Sequence, residues 1–170
     1  MIEPHTYSES PVSERDRQLI EQFLGREPRG LAGIAVRDPW GEPLVVRVAS
    51  LVDGKPFPTM FWLVAPALKL ALDRLEASGT IALIQTQVLE SRELLAQLRA
   101  DHHAYAALRE NLMPAASRAD PERRRSLQGL GIRGIGGIAD FSRIKCLHAF
   151  YAAHLVKSNA IGRLLELGYL

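Results

Sequence analysis

A single cysteine, Cys146, in 170 residues excludes an intramolecular disulfide and any zinc site built from cysteines alone. Aromatic residues are scarce, at 6%, and none interleaves with the arginine-rich stretch after residue 118. A stacking platform for single-stranded RNA is therefore missing. Long apolar runs are also missing. The longest, Met60 to Leu68, is closed by Lys69 and is about half of what a membrane span needs. Residues 1–13 are polar with two prolines, unlike a secretory leader. A cytoplasmic protein without a membrane partner is expected. The chain has no G-x-x-x-x-G-K-[ST] phosphate loop, no H-E-x-x-H and no G-x-S-x-G. Paired acids for glycoside or two-metal chemistry are not evident, because Asp38 and Asp53 fall in turns while Glu76 and Glu90 fall on helices.

What is present reads as one soluble globular domain: 47% hydrophobic and 24% charged residues with a net charge of +2. A chain of this length buries roughly 70% of its unfolded surface without staples. Residues 1–12 read as a flexible arm and 13–170 as a single domain. Ser13 is placed as a helix N-cap with Asp16 at the third helical position, and Leu19, Ile20, Phe23 and Leu24 form a stripe that Gly25 stops. Leu31 to Arg37 and Pro43 to Leu51 are β-rich, separated by the turn Asp38-Pro39-Trp40-Gly41. Leu44, Val46 and Val48 alternate against Val45 and Arg47, which predicts a sheet buried mainly on one face. After the Asp53-Gly54 turn, Thr59 to Val64 supplies a third strand at an edge, since Pro56 and Pro58 cannot donate ladder bonds.

The period then changes to that of helices. Pro66 opens one that ends at Gly79, and Ile81 to Leu112 follows a three-four alternation as one long helix or two collinear ones, ended by Pro114. Residues 114–138 read as a polar, then glycine-rich loop. A helix from about Ser142 to Lys157 and a short one from about Ile161 complete the chain. Strands first and helices afterwards make an α+β fold: a small antiparallel three-stranded meander near the N-terminus, packed against a mainly helical C-terminal two-thirds.

Several strings together resemble a bacterial family known only as domain-of-unknown-function family 501. They are Leu24-Gly25-Arg26-Glu27-Pro28-Arg29-Gly30, Asp53-Gly54-Lys55-Pro56-Phe57-Pro58-Thr59, Arg74-Leu75-Glu76 with Gly79, the H-x-x-Y-x-x-x-R set His102, Tyr105 and Arg109, Gly136-Gly137, and Lys145-Cys146-Leu147-His148 with His154. The resemblance spans roughly residues 20 to 165. This chain departs from many members around Trp40 and Ala65, where they carry cysteines, so a cysteine-based zinc site of such relatives does not carry over. The resemblance implies no activity. Frequent encoding of members near an exopolyphosphatase-like enzyme points faintly to phosphate metabolites.

The residues themselves offer candidate chemistry. Cys146, between Lys145 and His148 near a helix start, suits a thiolate nucleophile or metal ligand; a small buried side chain is the alternative. With a helix starting near Ser142, residues two apart point about 200° apart, so Cys146 and His148 are not expected to share an ion, and no metal site is assigned. His154 falls on an apolar arc and reads as a hydrogen-bonded core histidine, and His103 as exposed. His102, Tyr105 and Arg109 share one helix face, either lining a pocket or forming a structural network. In a pocket, Arg109 would clamp an anion and His102 or Tyr105 would move protons. Gly129, Gly131 and Gly134 match G-x-G-x-x-G without the strand a dinucleotide fold requires. Gly136 and Gly137, leading toward Arg143 and Lys145, could favour an anion, and Thr59 could add a hydroxyl.

The leading expectation is a site for an anionic small molecule, a phosphorylated metabolite or nucleotide. Cys146, His148 and His102 are its candidate catalytic groups. Tyr105, Arg109, Lys145, Arg143, Gly136, Gly137 and Thr59 are its candidate binding groups. No cofactor is identified. The alternative is a non-catalytic module that binds protein or RNA through the basic 118–133 stretch, where Arg118, Arg123, Arg124, Arg125 and Arg133 cluster.

Overall fold

In a computed structural model describing residues 7–130 and 132–170, the chain is α+β. Strands β1 (Leu31–Arg37), β2 (Pro43–Val48) and β5 (Phe61–Leu63) form one antiparallel sheet in the order β1-β2-β5. Strands β3 (Leu51–Val52) and β4 (Lys55–Pro56) make a small separate hairpin on the Asp53-Gly54 turn. The expected second strand therefore stops at Val48 and the third begins only at Phe61, because Leu51 pairs instead with Pro56.

Helix α1 (Glu14–Leu24) begins on a capping box between Ser13 and Asp16 and ends at Gly25, as the sequence predicts. It lays Ile20 on Ile34, Val46, Val48 and Val64. Val45, Phe61 and Leu63 join the larger core on the sheet's other side, with Leu147 and Phe150. Val45 and Val46 are both fully buried, so the sheet is covered on both faces and the expected one-sided burial is corrected.

Residues 1–6 of the expected arm lie outside the described residues. The rest of the arm is docked: Ser10 and Ile34 exchange backbone hydrogen bonds of 3.0 and 2.9 Å, and Arg47 forms a 2.6 Å ion pair with Glu9.

The helical part comprises α2 (Pro66–Ala77), α3 (Thr80–Glu90), α4 (Arg92–Leu112), α5 (Ala115–Ala119), α6 (Pro121–Gln128), α7 (Leu147–Val156) and α8 (Ala160–Gly168). The stretch read as Ile81 to Leu112 is two helices. Ser91 breaks it in an extended conformation, and its hydroxyl accepts from Leu94 N at 3.2 Å. Residues 114–138 are not one loop. Asp120 caps α6 by accepting from Glu122 N at 2.9 Å, with Pro121 in the first helical turn. Helix α7 is apolar nearly all round and is the buried centre, touching α8, α2 and β5. Among the described residues, no helix is long and apolar enough to cross a membrane.

Candidate functional site

A cleft of ≈ 470 Å³ lies where β5, α2 and the start of α7 meet. Its walls carry Thr59, Lys69, Glu76, Gly136, Lys145, Cys146 and His148, with Arg26 beside Trp62 at the rim. The Arg26 guanidinium stands 5.1 Å from the Trp62 ring centroid, within the range where cation and ring attract.

The geometry of the cleft follows from where α7 begins. Asp140 turns the chain through Ser142, accepting from its backbone N at 3.0 Å and its hydroxyl at 2.7 Å. The Gln85 amide then holds residues 142–144 out of a helix, donating to Ser142 O at 2.9 Å and accepting from Ile144 N at 2.9 Å. Helix α7 thus starts at Leu147, with Cys146 as an extended N-cap residue whose own side chain makes no cap bond. Glu76, reaching across from α2, supplies the missing acceptor: Leu147 N donates to its Oε1 at 2.6 Å. A carboxylate there also complements the positive end of the helix dipole.

This late start overturns the expected divergence of Cys146 and His148. With Cys146 extended rather than helical, its Sγ lies 3.9 Å from His148 Nδ1. The same nitrogen lies 3.1 Å from Glu76 Oε1. The far ring nitrogen, Nε2, lies 3.2 Å from Asp73 Oδ1 and 3.3 Å from the Lys69 carbonyl. The neighbouring Cys146 sulfur and then Glu76 raise the His148 pKa to about 9, against the opposing effect of burial. Thr59, Gly136 and Lys145 are brought to the same cleft.

His102, Tyr105 and Arg109 are not among the cleft's lining residues. Instead they form a polar spine that pins two chain segments to α4. His102 is fully buried; its Nδ1 accepts from Ile135 N at 3.0 Å, and Nε2 faces Arg143 O at 3.4 Å. Burial lowers its pKa to about 4, against the pull of the Arg143 carbonyl. The ring is therefore neutral at pH 7, with its remaining proton on Nε2. It stacks on Phe141 with centroids 4.8 Å apart.

The Tyr105 hydroxyl accepts from Met60 N at 2.7 Å, and burial pushes its pKa up to about 12. Arg109, also fully buried, donates to Pro58 O at 2.9 Å, to Leu130 O at 2.6 Å and to Arg133 O. Burial lowers its pKa from the ordinary value, yet a guanidinium stays charged in proteins. Both terminal nitrogens are occupied by backbone carbonyls, while the buried Nε has no hydrogen-bond partner among the described residues; the contacts the expected anion clamp makes are those of a structural tie. Of the two readings of this helix face, the network is the one the contacts fill. Its consequence for the cleft is indirect: it holds Pro58 and Met60 on one side and Leu130, Arg133, Ile135 and Arg143 on the other.

The glycine stretch fits against this spine. A Cβ at Gly134 would overlap the His102 imidazole. Gly136 and Gly137 both take left-handed φ, 68° and 75°, which other residues adopt only with strain. Gly136 lines the cleft, whereas Gly137 packs on Pro58 and Arg143 is exposed outside the lining. His154 is a hydrogen-bonded core residue, accepting from Asn159 N at 3.0 Å, and His103 is exposed, as the sequence indicates. Arg123, Arg124 and Arg125 stand exposed on α6, outside the cleft lining.

Sequence reasoning missed Arg26, Lys69, Asp73 and Glu76. A signal was available: Lys69, Asp73 and Glu76 fall four and three residues apart, on one face of α2.

Comparison with known proteins identifies the chain at the level of its family. Residues 34–166 match the sequence profile of the family described as Protein of unknown function (DUF501), so the chain belongs to that family. No curated protein and no solved structure matches the chain.

Proposed function

We propose that the cleft between β5, α2 and the α7 start binds an anionic small molecule, a phosphorylated metabolite or nucleotide, with the Cys146–His148 pair on its wall. The observation that carries this reading is the convergence of Arg26, Lys69 and Lys145 from three separate parts of the chain on one concave site. Convergent cations in a cleft focus the field on an anion, and the volume of ≈ 470 Å³ falls in the range of small-molecule sites. Glu76 and Asp73 do not cancel this field. Two carboxylates face three cations, Arg26, Lys69 and Lys145, and both carboxylates also lie against His148. A cytoplasmic setting, in which a lone cysteine stays a thiol, suits the reading.

The test is thermal unfolding of the reduced protein against phosphorylated metabolites, nucleotides and polyphosphate. A ligand at a hundred times its Kd adds about 2.7 kcal/mol, or roughly 5–10 °C for a chain of this size. The shift is expected to disappear in Lys69→Ala and Lys145→Ala, whose unliganded melting points stay near wild type. A shift that survives both substitutions, or a flat screen, refutes the reading.

A further inference from the structure

We infer that Glu76, Cys146 and His148 form a site for a divalent transition metal, of which zinc fits best, with one coordination position left to the cleft. This goes beyond anion binding and does not depend on it. Glu76 comes from α2 and the other two residues from the α7 start. One ligand atom from each lies within 4.8 Å of the others.

Elementary geometry supports the assignment. With Zn–S about 2.3 Å and Zn–N and Zn–O about 2.1 Å, a tetrahedron has S···N and N···O edges of about 3.6 and 3.4 Å. The structure has 3.9 Å from Cys146 Sγ to His148 Nδ1 and 3.1 Å from that nitrogen to Glu76 Oε1. These two edges lie within a few tenths of an ångström of the tetrahedral values; the third, from the sulfur to the Glu76 carboxylate, is at most 4.8 Å and closes to about 3.6 Å when the side chains turn toward a shared ion.

Three further features fit. The donor set is one thiol, one imidazole and one carboxylate; calcium and magnesium, which take oxygen ligands, match it poorly. A thiolate and a carboxylate together neutralise a divalent charge, leaving Lys69 and Lys145 free to face an anion. The outer contacts are also those of a metal-binding histidine. With Nδ1 toward the ion, Nε2–H points to Asp73 Oδ1 at 3.2 Å and the Lys69 carbonyl at 3.3 Å. That arrangement fixes the ring and its tautomer. All three ligands line the cleft, so the fourth position is open to water or to an oxygen of a bound anion, as in three-ligand zinc sites.

The experiment uses the full reduced chain, stripped with a chelator and free of phosphate compounds, and titrates Co²⁺ and then Zn²⁺ against a competing metal indicator. One equivalent of Co²⁺ is expected to bind with a sulfur-to-cobalt charge-transfer band in the near ultraviolet, and Zn²⁺ is expected to displace it. Cys146→Ser should abolish the band and His148→Gln should weaken binding at least tenfold. Asp73→Asn, which touches no metal, should weaken it about tenfold or more. Circular dichroism establishes that each variant is folded. Absence of the band in wild type, or metal binding unchanged in Cys146→Ser, overturns the site. Because no anion is present, that failure leaves the anion reading to its own thermal-shift test.

Discussion

Acid should open this protein at His102 before it titrates most of its carboxylates. In the folded chain the imidazole is a neutral acceptor for Ile135 N, and its pKa is about 4 rather than 6.5 because it is buried. A folded-state pKa below the unfolded value means that the stabilisation is complete above pH 6.5 and is lost as the pH falls toward 4. Its full extent is about 3 kcal/mol, of which roughly 2 kcal/mol is gone by pH 5. That corresponds to a fall in melting point of roughly 4–8 °C for this chain length. The physical event is specific. A proton on Nδ1 turns the acceptor of Ile135 N into a donor, and the segment carrying Gly136 loses its tie to α4.

The assay is urea unfolding followed by circular dichroism at closely spaced pH values from 7 to 4.5, on wild type and His102→Gln. Subtracting the variant's curve removes the carboxylates common to both. The wild-type curve should fall more steeply than the variant's below pH 6.5. Parallel curves would refute the assignment of His102 as a neutral structural acceptor.

Other substitutions separate structure from binding. Arg109→Ala should destabilise the fold by about 3 kcal/mol or more in urea unfolding, since each carbonyl left unpaired in the interior costs about 1–3 kcal/mol; a variant of normal stability with lost ligand binding would restore the anion-clamp role. Gly134→Ala should cost about 1–3 kcal/mol by driving a methyl into the His102 ring, and a melting point equal to wild type would contradict that packing. Glu76→Ala removes the acceptor of Leu147 N and should lower stability by about 1–2 kcal/mol, the scale of a lost helix cap. Asp16→Ala breaks both the capping box and the paired contacts to Arg37, at 2.8 and 2.9 Å. The Arg37 guanidinium holds the Asp16 carboxyl well below the usual range, so the loss of about 2 kcal/mol or more should be present at pH 7 and shrink only in strong acid.

The parts legible in the sequence are those whose causes are local. Ser13 and Asp16 lie three residues apart and define the start of α1 by themselves. The β-rich runs of β1 and β2, Pro66 at the head of α2 and the Asp53-Gly54 turn likewise act over a few residues, whereas the alternation in β2 did not reveal that Val45 and Val46 are both buried, by layers from distant segments. The start of α7 was not legible, because it is set by Gln85 and Glu76, 57 to 71 residues away in the chain. Moving that start by five residues is what turns Cys146 and His148 from diverging helix positions into neighbours. The same holds for the H-x-x-Y-x-x-x-R row. Its spacing shows that three polar groups share a face. Whether they meet a ligand or a backbone depends on Pro58, Met60, Leu130, Arg133, Ile135 and Arg143, whose placement no local pattern specifies. Asp120-Pro121 did carry a readable helix start, hidden by the arginines around it and the glycines beyond.

Anion binding where Arg26, Lys69 and Lys145 converge would leave its mark on the backbone around them. The most direct measurement is a titration of the isotope-labelled protein with pyrophosphate and with adenosine monophosphate, followed by amide chemical shifts. Saturable changes confined to Thr59, Gly136 and residues 145–149 are the expected result. Changes centred on Arg123, Arg124 and Arg125 of α6, or none at millimolar ligand, would contradict binding there; the former would move the function to the basic helix.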